Sequence, residues 1–155
     1  MKTCRKILNI IGWLSLFAMV VYVILIWNTL PHQIPSHYNF QGEIDQYGGK
    51  ATILIMPITM TLLFLLLVVV ERFPNSWNIP VEICEDNKER VYESMRLMLV
   101  GMRAMFMINA FLTKYAMSHA LQLPSLYLPI FIGIVFLLLV IDMIYIVKIN
   151  KKRKE

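Results

Sequence analysis

Apolar residues in this sequence fall into four long blocks separated by polar segments. The blocks cover about residues 7–27, 51–70, 95–114 and 126–147. Each block is long enough to cross the hydrocarbon core of a bilayer as a helix, which takes about 20 residues at a rise of about 1.5 Å per residue. The pattern therefore predicts an all-α integral membrane bundle of four transmembrane helices, forming a single membrane domain over residues 1–155.

The third block is the least apolar of the four, because Arg103 lies inside it. An amphipathic helix on the membrane surface is an alternative for this segment. The basic residues decide between the two, because Lys and Arg favour the cytoplasmic side of a membrane. With four spans, 12 of the 15 Lys and Arg residues are cytoplasmic, Lys50 and Lys114 lie outside, and Arg103 is buried. With three spans, the basic residues at positions 151–154 would lie outside. We therefore expect four spans and two cytoplasmic termini.

The two longer polar segments then lie on opposite sides of the membrane. Residues 28–50 form an outer loop, and residues 71–94 form a cytoplasmic loop. The outer loop is rich in proline and glycine, which interrupt regular structure, so we expect an ordered loop lying on the membrane surface. Such a chain belongs in the cell membrane as a multi-pass protein.

Composition supports this class and excludes others. The chain is 58% hydrophobic and 16% charged, whereas a soluble domain is about 45–50% apolar and about 25% charged. These values rule out a soluble enzyme and a secreted disulfide scaffold. The net charge of +5 does not indicate a nucleic-acid partner, because the basic residues flank the apolar blocks. The expected partner is the lipid bilayer, and a homo-oligomer is compatible with the sequence. Cys4 and Cys84 both fall on the cytoplasmic side, so no disulfide is expected.

Arg103 and Asp142 are the two charged residues inside the apolar blocks. A charge at the centre of a membrane helix costs roughly 2.5–3.5 kcal/mol on insertion scales, so each should face the bundle or reach toward the interface. Arg103 is seven residues from Arg96, and Asp142 is six residues from Lys148, so both lie about 10 Å from the cytoplasmic end of their helix at helical rise. The matched depth favours an interhelical charge pair that holds two helices together. A proton or anion path is the alternative.

The outer loop contains histidines and carboxylates close together in sequence. His32 and His37 are weak candidates for metal ligands, with Glu43 and Asp45 nearby, but their spacing matches no known metal motif. The alternative is an ordered cap without metal. The chain has no nucleophile elbow, phosphate loop or cofactor fingerprint. The case for an enzyme is therefore thin, and no cofactor is expected.

The same loop favours one ordered cluster above the first two helices. We expect this cluster to contain His37, Asn39, Asp45 and Lys50, with the ammonium of Lys50 reaching back toward Asp45. Prolines restrict the loop and lower the entropy cost of ordering it.

Ten residues of the outer loop form a spaced pattern, namely Leu30, Pro31, Ile34, Pro35, His37, Asn39, Gly42, Asp45, Gly48 and Lys50. A second patch follows at Asn78, Pro80, Asn87 and Tyr92. Both resemble the bacterial membrane family called domain of unknown function 1648, which also forms the front part of SdpI-type toxin-immunity proteins. Tyr47 stands where the family often has Trp, and Cys84 stands where it often has Thr. The resemblance implies that the membrane is the bacterial cytoplasmic membrane.

The family has no settled biochemical activity, so the resemblance implies a membrane domain and no defined reaction. The leading hypothesis is non-catalytic sensing, immunity or signalling, with an extracellular peptide or envelope component as the ligand of the outer loop. A small transporter using Arg103 and Asp142 and a membrane metalloenzyme using His37 are the alternatives.

The charge distribution generates a test of topology. Cysteines introduced singly at Gln46 and Gln122 should react with a membrane-impermeant thiol reagent in intact cells, because both positions lie outside in the four-span arrangement. Labelling of the native Cys4 or Cys84 under the same conditions would overturn the orientation.

Overall fold

The computed structural model describes residues 1–154, and the chain forms four long helices with one β-hairpin between the first two. The strands are β1 (Gln33–Tyr38) and β2 (Ile44–Gly49), and short 3₁₀ turns cover Lys50–Leu54 and Pro74–Ser76. The helices are α1 (Lys2–Ile26), α2 (Ile55–Glu71), α3 (Glu85–Ser118) and α4 (Tyr127–Lys154).

In the described part of the chain, four helices are long and apolar enough to cross a membrane, which confirms the prediction of four such segments. Large apolar side chains point away from the bundle on all four, including Phe17, Leu62, Leu112 and Phe136. Soluble monomers rarely expose contiguous apolar patches beyond a few hundred Å². The chain is therefore a multi-pass membrane protein, with lipid covering this surface.

Helices α1 and α3 lie side by side and run in the same direction. Lys2 pairs with Glu89 near their first residues (Nζ–Oε1 2.8 Å), and the Tyr22 and Ser118 hydroxyls are 2.6 Å apart near their last. Helix α2 runs in the opposite direction and packs against α3. The central core consists of Leu16, Met19, Phe64, Met107 and Ala110.

Helix α3 is 34 residues long, about 51 Å at helical rise, and exceeds the hydrocarbon core of about 30 Å. Its start is fixed by Cys84 and Asn87, because the Asn87 Oδ1 accepts a hydrogen bond from the Cys84 N–H (2.9 Å). Asn87 is three positions after Cys84, so its amide makes the reciprocal contact of a capping box.

The segment between α1 and α2 is a β-hairpin, so the prediction of a loop without regular structure is wrong, and the mostly helical fold contains one two-stranded sheet. β1 and β2 pair antiparallel, with Gln33 opposite Gly49 and Tyr38 opposite Ile44. Pro35 lies within β1 opposite Tyr47, and the register shifts after it. A proline cannot donate a hydrogen bond to a sheet but is tolerated in an edge strand, and both strands of a hairpin are edges.

The hairpin is held at two places, because an isolated two-stranded hairpin is only marginally stable. At its root, Ile34 is buried with Val23, Leu30 and Ile53. At its tip, the Gly42 carbonyl accepts a hydrogen bond from the N–H of Leu123 (2.8 Å), in the connection between α3 and α4. We call this end of the bundle the hairpin end, and the end that carries Lys2 and Lys151 the terminal end.

The tip contact generates a test. Gly42 has φ +82°, and a Cβ placed there would lie 2.5 Å from the Leu123 carbonyl oxygen. Gly42→Ala should therefore destabilise the protein by roughly 1–3 kcal/mol, through backbone strain and loss of the docked tip. Gly49→Ala is the matched control, because a Cβ there meets nothing within 4 Å. Equal unfolding midpoints for the two variants in detergent would show that the tip contact contributes nothing.

Candidate functional site

The outward face of the hairpin carries a hydrogen-bonded His–Asp pair. The Nδ1 of His37 donates to Oδ1 of Asp45 over 2.7 Å, and the two side chains are 61% and 41% exposed. When the imidazole is protonated, the same contact is an ion pair. The pair lies on the two-stranded hairpin and remains accessible to solvent.

Asn39 closes the hairpin turn on itself. Its Nδ2 donates to Glu43 Oε2 (2.9 Å), and its Oδ1 accepts from the Glu43 N–H (2.9 Å). The N–H of Gly42 also donates to the carbonyl of Asn39 (3.0 Å). Asn39 and Glu43 thus shape the turn that presents Gly42 to Leu123.

Lys50 does not reach Asp45, so the expected single cluster is wrong in this part. The Lys50 Nζ lies over the indole ring of Trp27, 4.9 Å from its centroid. Lys50 opens the 3₁₀ turn at the root of the hairpin, and its N–H donates to the carbonyl of His32 (3.0 Å). The predicted residues therefore form three separate contacts: His37 with Asp45, Asn39 with Glu43, and Lys50 with Trp27.

The two prolines and the second histidine of the loop have different environments. Pro35 is buried, whereas Pro31 and His32 are exposed. Among residues 1–154, no group of three or more His, Cys, Asp or Glu side chains lies close enough to hold a metal ion. The structure therefore adds no support for the metal site considered at His32 and His37.

Tyr38 ties the hairpin to the α3–α4 connection and was not identified from the sequence. Its hydroxyl donates to the Leu121 carbonyl over 2.9 Å. Burial raises the pKa of Tyr38 to about 12, with a smaller contribution from Tyr47. The phenol therefore stays protonated and keeps this hydrogen bond at physiological pH.

The second predicted patch is mainly structural. Asn87 is fully buried, and its Nδ2 donates to the Glu82 carbonyl (2.9 Å). The Tyr92 hydroxyl donates to Asn75 Oδ1 (3.2 Å). Asn78 and Pro80 are exposed, whereas the alternating residues Ile79 and Val81 are partly buried. These two apolar side chains pack against Val91 on α3 and against Ile146 and Ile149 on α4. The segment thus contacts both the start of α3 and the end of α4.

Arg103 pairs with Glu71 and not with Asp142. The side chain of Arg103 is only 3% exposed, and its Nη1 lies 3.3 Å from Glu71 Oε2. Its Nη2 donates to Asn9 Oδ1 over 2.6 Å, and its guanidinium lies 4.7 Å from the centroid of the Phe64 ring. One side chain of α3 therefore contacts both α1 and α2.

Asp142 accepts a hydrogen bond from the hydroxyl of Ser94. Ser94 and Arg103 are nine positions apart on α3, about two and a half turns, so they lie on opposite faces and about 13 Å apart along the axis. The predicted Arg103–Asp142 pair is wrong for this reason. A matched distance from a flanking charge does not place two side chains on helix faces that meet.

A second arginine extends the contacts of Arg103 into a network. Arg5 Nη1 lies 3.3 Å from Glu71 Oε1, and Arg5 Nε lies 3.0 Å from Glu93 Oε1. We call Arg5, Glu71, Glu93 and Arg103 the arginine–glutamate network. Its two positive and two negative charges balance, and it joins α1, α2 and α3.

Sequence reasoning does not find this network, because Arg5 and Glu71 stand at the ends of apolar blocks, where charged residues commonly flank a membrane span. A usable signal was present. A buried arginine requires an anionic partner, and Glu71 ends the neighbouring span.

Comparison with known proteins bears on the first two helices and the hairpin. Residues 14–61 match the sequence model of a family described as Domain of unknown function (DUF1648). The resemblance to this family is confirmed. The matched segment runs from the middle of α1 through both strands into α2, so it contains the His37–Asp45 pair and the hairpin root.

A relative that matches most of the chain was also found. It is an uncharacterized protein of Archaeoglobus fulgidus, 25% identical over an alignment of 166 positions that covers 94% of this chain and 88% of the relative. No solved structure matches the chain.

Proposed function

We propose that this protein is a non-catalytic sensor or immunity protein of the cell membrane. Its hairpin receives an extracellular ligand, such as a peptide or an envelope component, and the helices transmit binding to the cytoplasmic side. The resemblance of the loop to SdpI-type immunity proteins suggests this class, and the contacts of the hairpin carry the argument.

The distribution of charge supports an outward-facing hairpin. Lys2, Lys6, Lys148 and Lys151 all lie at the terminal end, opposite the hairpin. Lys and Arg beside membrane helices favour the cytoplasmic side. In this orientation the His37–Asp45 pair faces the outside of the cell.

The exposed face of the hairpin has the composition of a recognition surface. Beside the His37–Asp45 pair, Phe40 and Tyr47 are more than half exposed. Aromatic side chains supply large contact areas at low entropy cost and are enriched in binding surfaces. A peptide with an acidic or polar group flanked by apolar side chains fits this surface.

The main observation is that the hairpin bridges two parts of the bundle. Its root packs against α1 through Ile34 and Val23, whereas its tip is bound to the α3–α4 connection through Gly42 and Tyr38. A ligand that changes the tilt of the hairpin must therefore shift that connection relative to α1. Helix α3 continues from there to the terminal end, so the shift has a mechanical path across the membrane.

No specific contact among the described residues favours either alternative, the small transporter or the membrane metalloenzyme. Arg103 and Asp142 occupy opposite faces of α3 and have separate partners, Glu71 and Ser94. A transport path through both would have to cross the helix. We therefore keep sensing or immunity as the proposal.

The proposal predicts different effects for neighbouring hairpin substitutions. In a strain lacking the gene, challenged with envelope-active peptides, His37→Ala and Lys50→Ala should each fail to restore the wild-type response. The first removes the polar pair, and the second loosens the root at Trp27. Gln46→Ala is the matched control, because Gln46 is an exposed residue opposite His37 in the same sheet.

Protein level and membrane insertion should be unchanged in all three variants, as measured by quantitative immunoblotting of washed membranes. A full response from both His37→Ala and Lys50→Ala would show that the hairpin is only a cap.

A further inference from the structure

Helices α1, α3 and α4 enclose a cleft near the terminal end that has no part in the hairpin site. Its volume is about 520 Å³, within the range of about 300–1,000 Å³ typical of small-molecule sites. Leu97, Met98, Leu138 and Ile141 supply most of its apolar wall. Gly101 of α3 also lines the cleft.

Among the side chains that line this cleft in the described chain, Asp142 is the one with a formal charge at neutral pH, and the N-terminal ammonium of Met1, another lining residue, forms no ion pair with it. Ser94 donates to Oδ1 of Asp142, and Oδ2 has no hydrogen-bond partner among the side chains of residues 1–151. Arg103, on the opposite face of α3, is occupied by Glu71 and does not neutralise Asp142. An acidic side chain in an apolar membrane cavity marks a functional site by default.

We propose that this cleft binds an amphiphile that has a single cationic head and an apolar body. The carboxylate of Asp142 binds the head, and the wall formed by Leu97, Leu138 and Ile141 holds the body. Met1 and Cys4 also line the cleft, on the first turn of α1, so the ligand enters at the boundary between lipid and water. The sign of the charge selects the ligand, because an anion of the same shape would meet the Asp142 carboxylate.

Cys4 provides a probe of occupancy, because it is exposed and lines the cleft. The background variant is Cys84→Ser, which leaves Cys4 as the single cysteine. Serine is favoured at a helix N-cap, the position that Cys84 occupies in α3, so this variant should fold. The rate of maleimide labelling of Cys4 in detergent-purified protein then reports access to the cleft.

Tetraphenylphosphonium and tetraphenylborate have nearly the same shape and opposite charge. The cation should slow the labelling of Cys4 in a saturable manner, and the anion should not. Asp142→Asn should raise the half-protecting concentration of the cation about tenfold, because it removes the charge and keeps the shape. Gly101→Leu should also abolish protection, although Asp142 remains, because the longer side chain fills the cleft. The backbone tolerates the change, since a Cβ at Gly101 has its nearest neighbour, Leu8 Cδ1, at 3.8 Å.

Three results would overturn the proposal: equal protection by both ions, undiminished protection in Asp142→Asn, or no protection by the cation at any concentration. A fall in the labelling rate with protein concentration alone would also overturn it, because a second copy of the chain would then occupy the cleft. The unfolding midpoint and the labelling rate without probe identify any variant that misfolds.

Discussion

The buried guanidinium of Arg103 is the constraint on which the packing of the first three helices depends. An arginine taken out of water inside a membrane bundle must have its charge balanced, because an uncompensated buried charge costs several kcal/mol. Glu71 balances the charge from α2, Asn9 accepts a hydrogen bond from α1, and the ring of Phe64 covers the cation. The contacts with Glu71 and Phe64 fix the rotation and the axial position of α2 relative to α3, and the contact with Asn9 fixes those of α1. Lipid supplies no hydrophobic force between helices, so this polar contact gives the bundle a specific register.

The hairpin depends on this register at the opposite end of the bundle. Because α1 and α3 are aligned near Arg103, Tyr22 reaches Ser118, and the α3–α4 connection comes beneath the hairpin tip. Gly42 and Tyr38 then find their partners in Leu123 and Leu121. The exposed surface around His37 therefore rests on contacts with both α1 and the α3–α4 connection.

Much of this fold follows from the sequence, and the parts that do not have physical reasons. Uninterrupted apolar runs predict the four long helices, because the bilayer sets a minimum length. The hairpin was missed because Pro35 and the glycines near it break the alternation typical of strands, although prolines are tolerated at edges. The His37–Asp45 contact follows from proximity in sequence. In contrast, Lys50 lies over the ring of Trp27, and Arg103 pairs with Glu71. Those two partners depend on helix rotation, which a hydropathy pattern does not encode.

The most direct test is the coupling free energy between Arg103 and Glu71, measured by a double-mutant cycle of chemical unfolding in detergent. Glu71→Gln alone should cost about 3–5 kcal/mol, because it leaves Arg103 buried without a counter-charge. In the double variant with Arg103→Met, the loss of unfolding free energy should be smaller than the sum of the losses in the two single variants by at least about 1 kcal/mol. The exposed pair Lys2 and Glu89 provides the control cycle, which should be additive. Additivity at Arg103 and Glu71 within about 0.5 kcal/mol would contradict the account, because the buried pair would then not hold the helices in register.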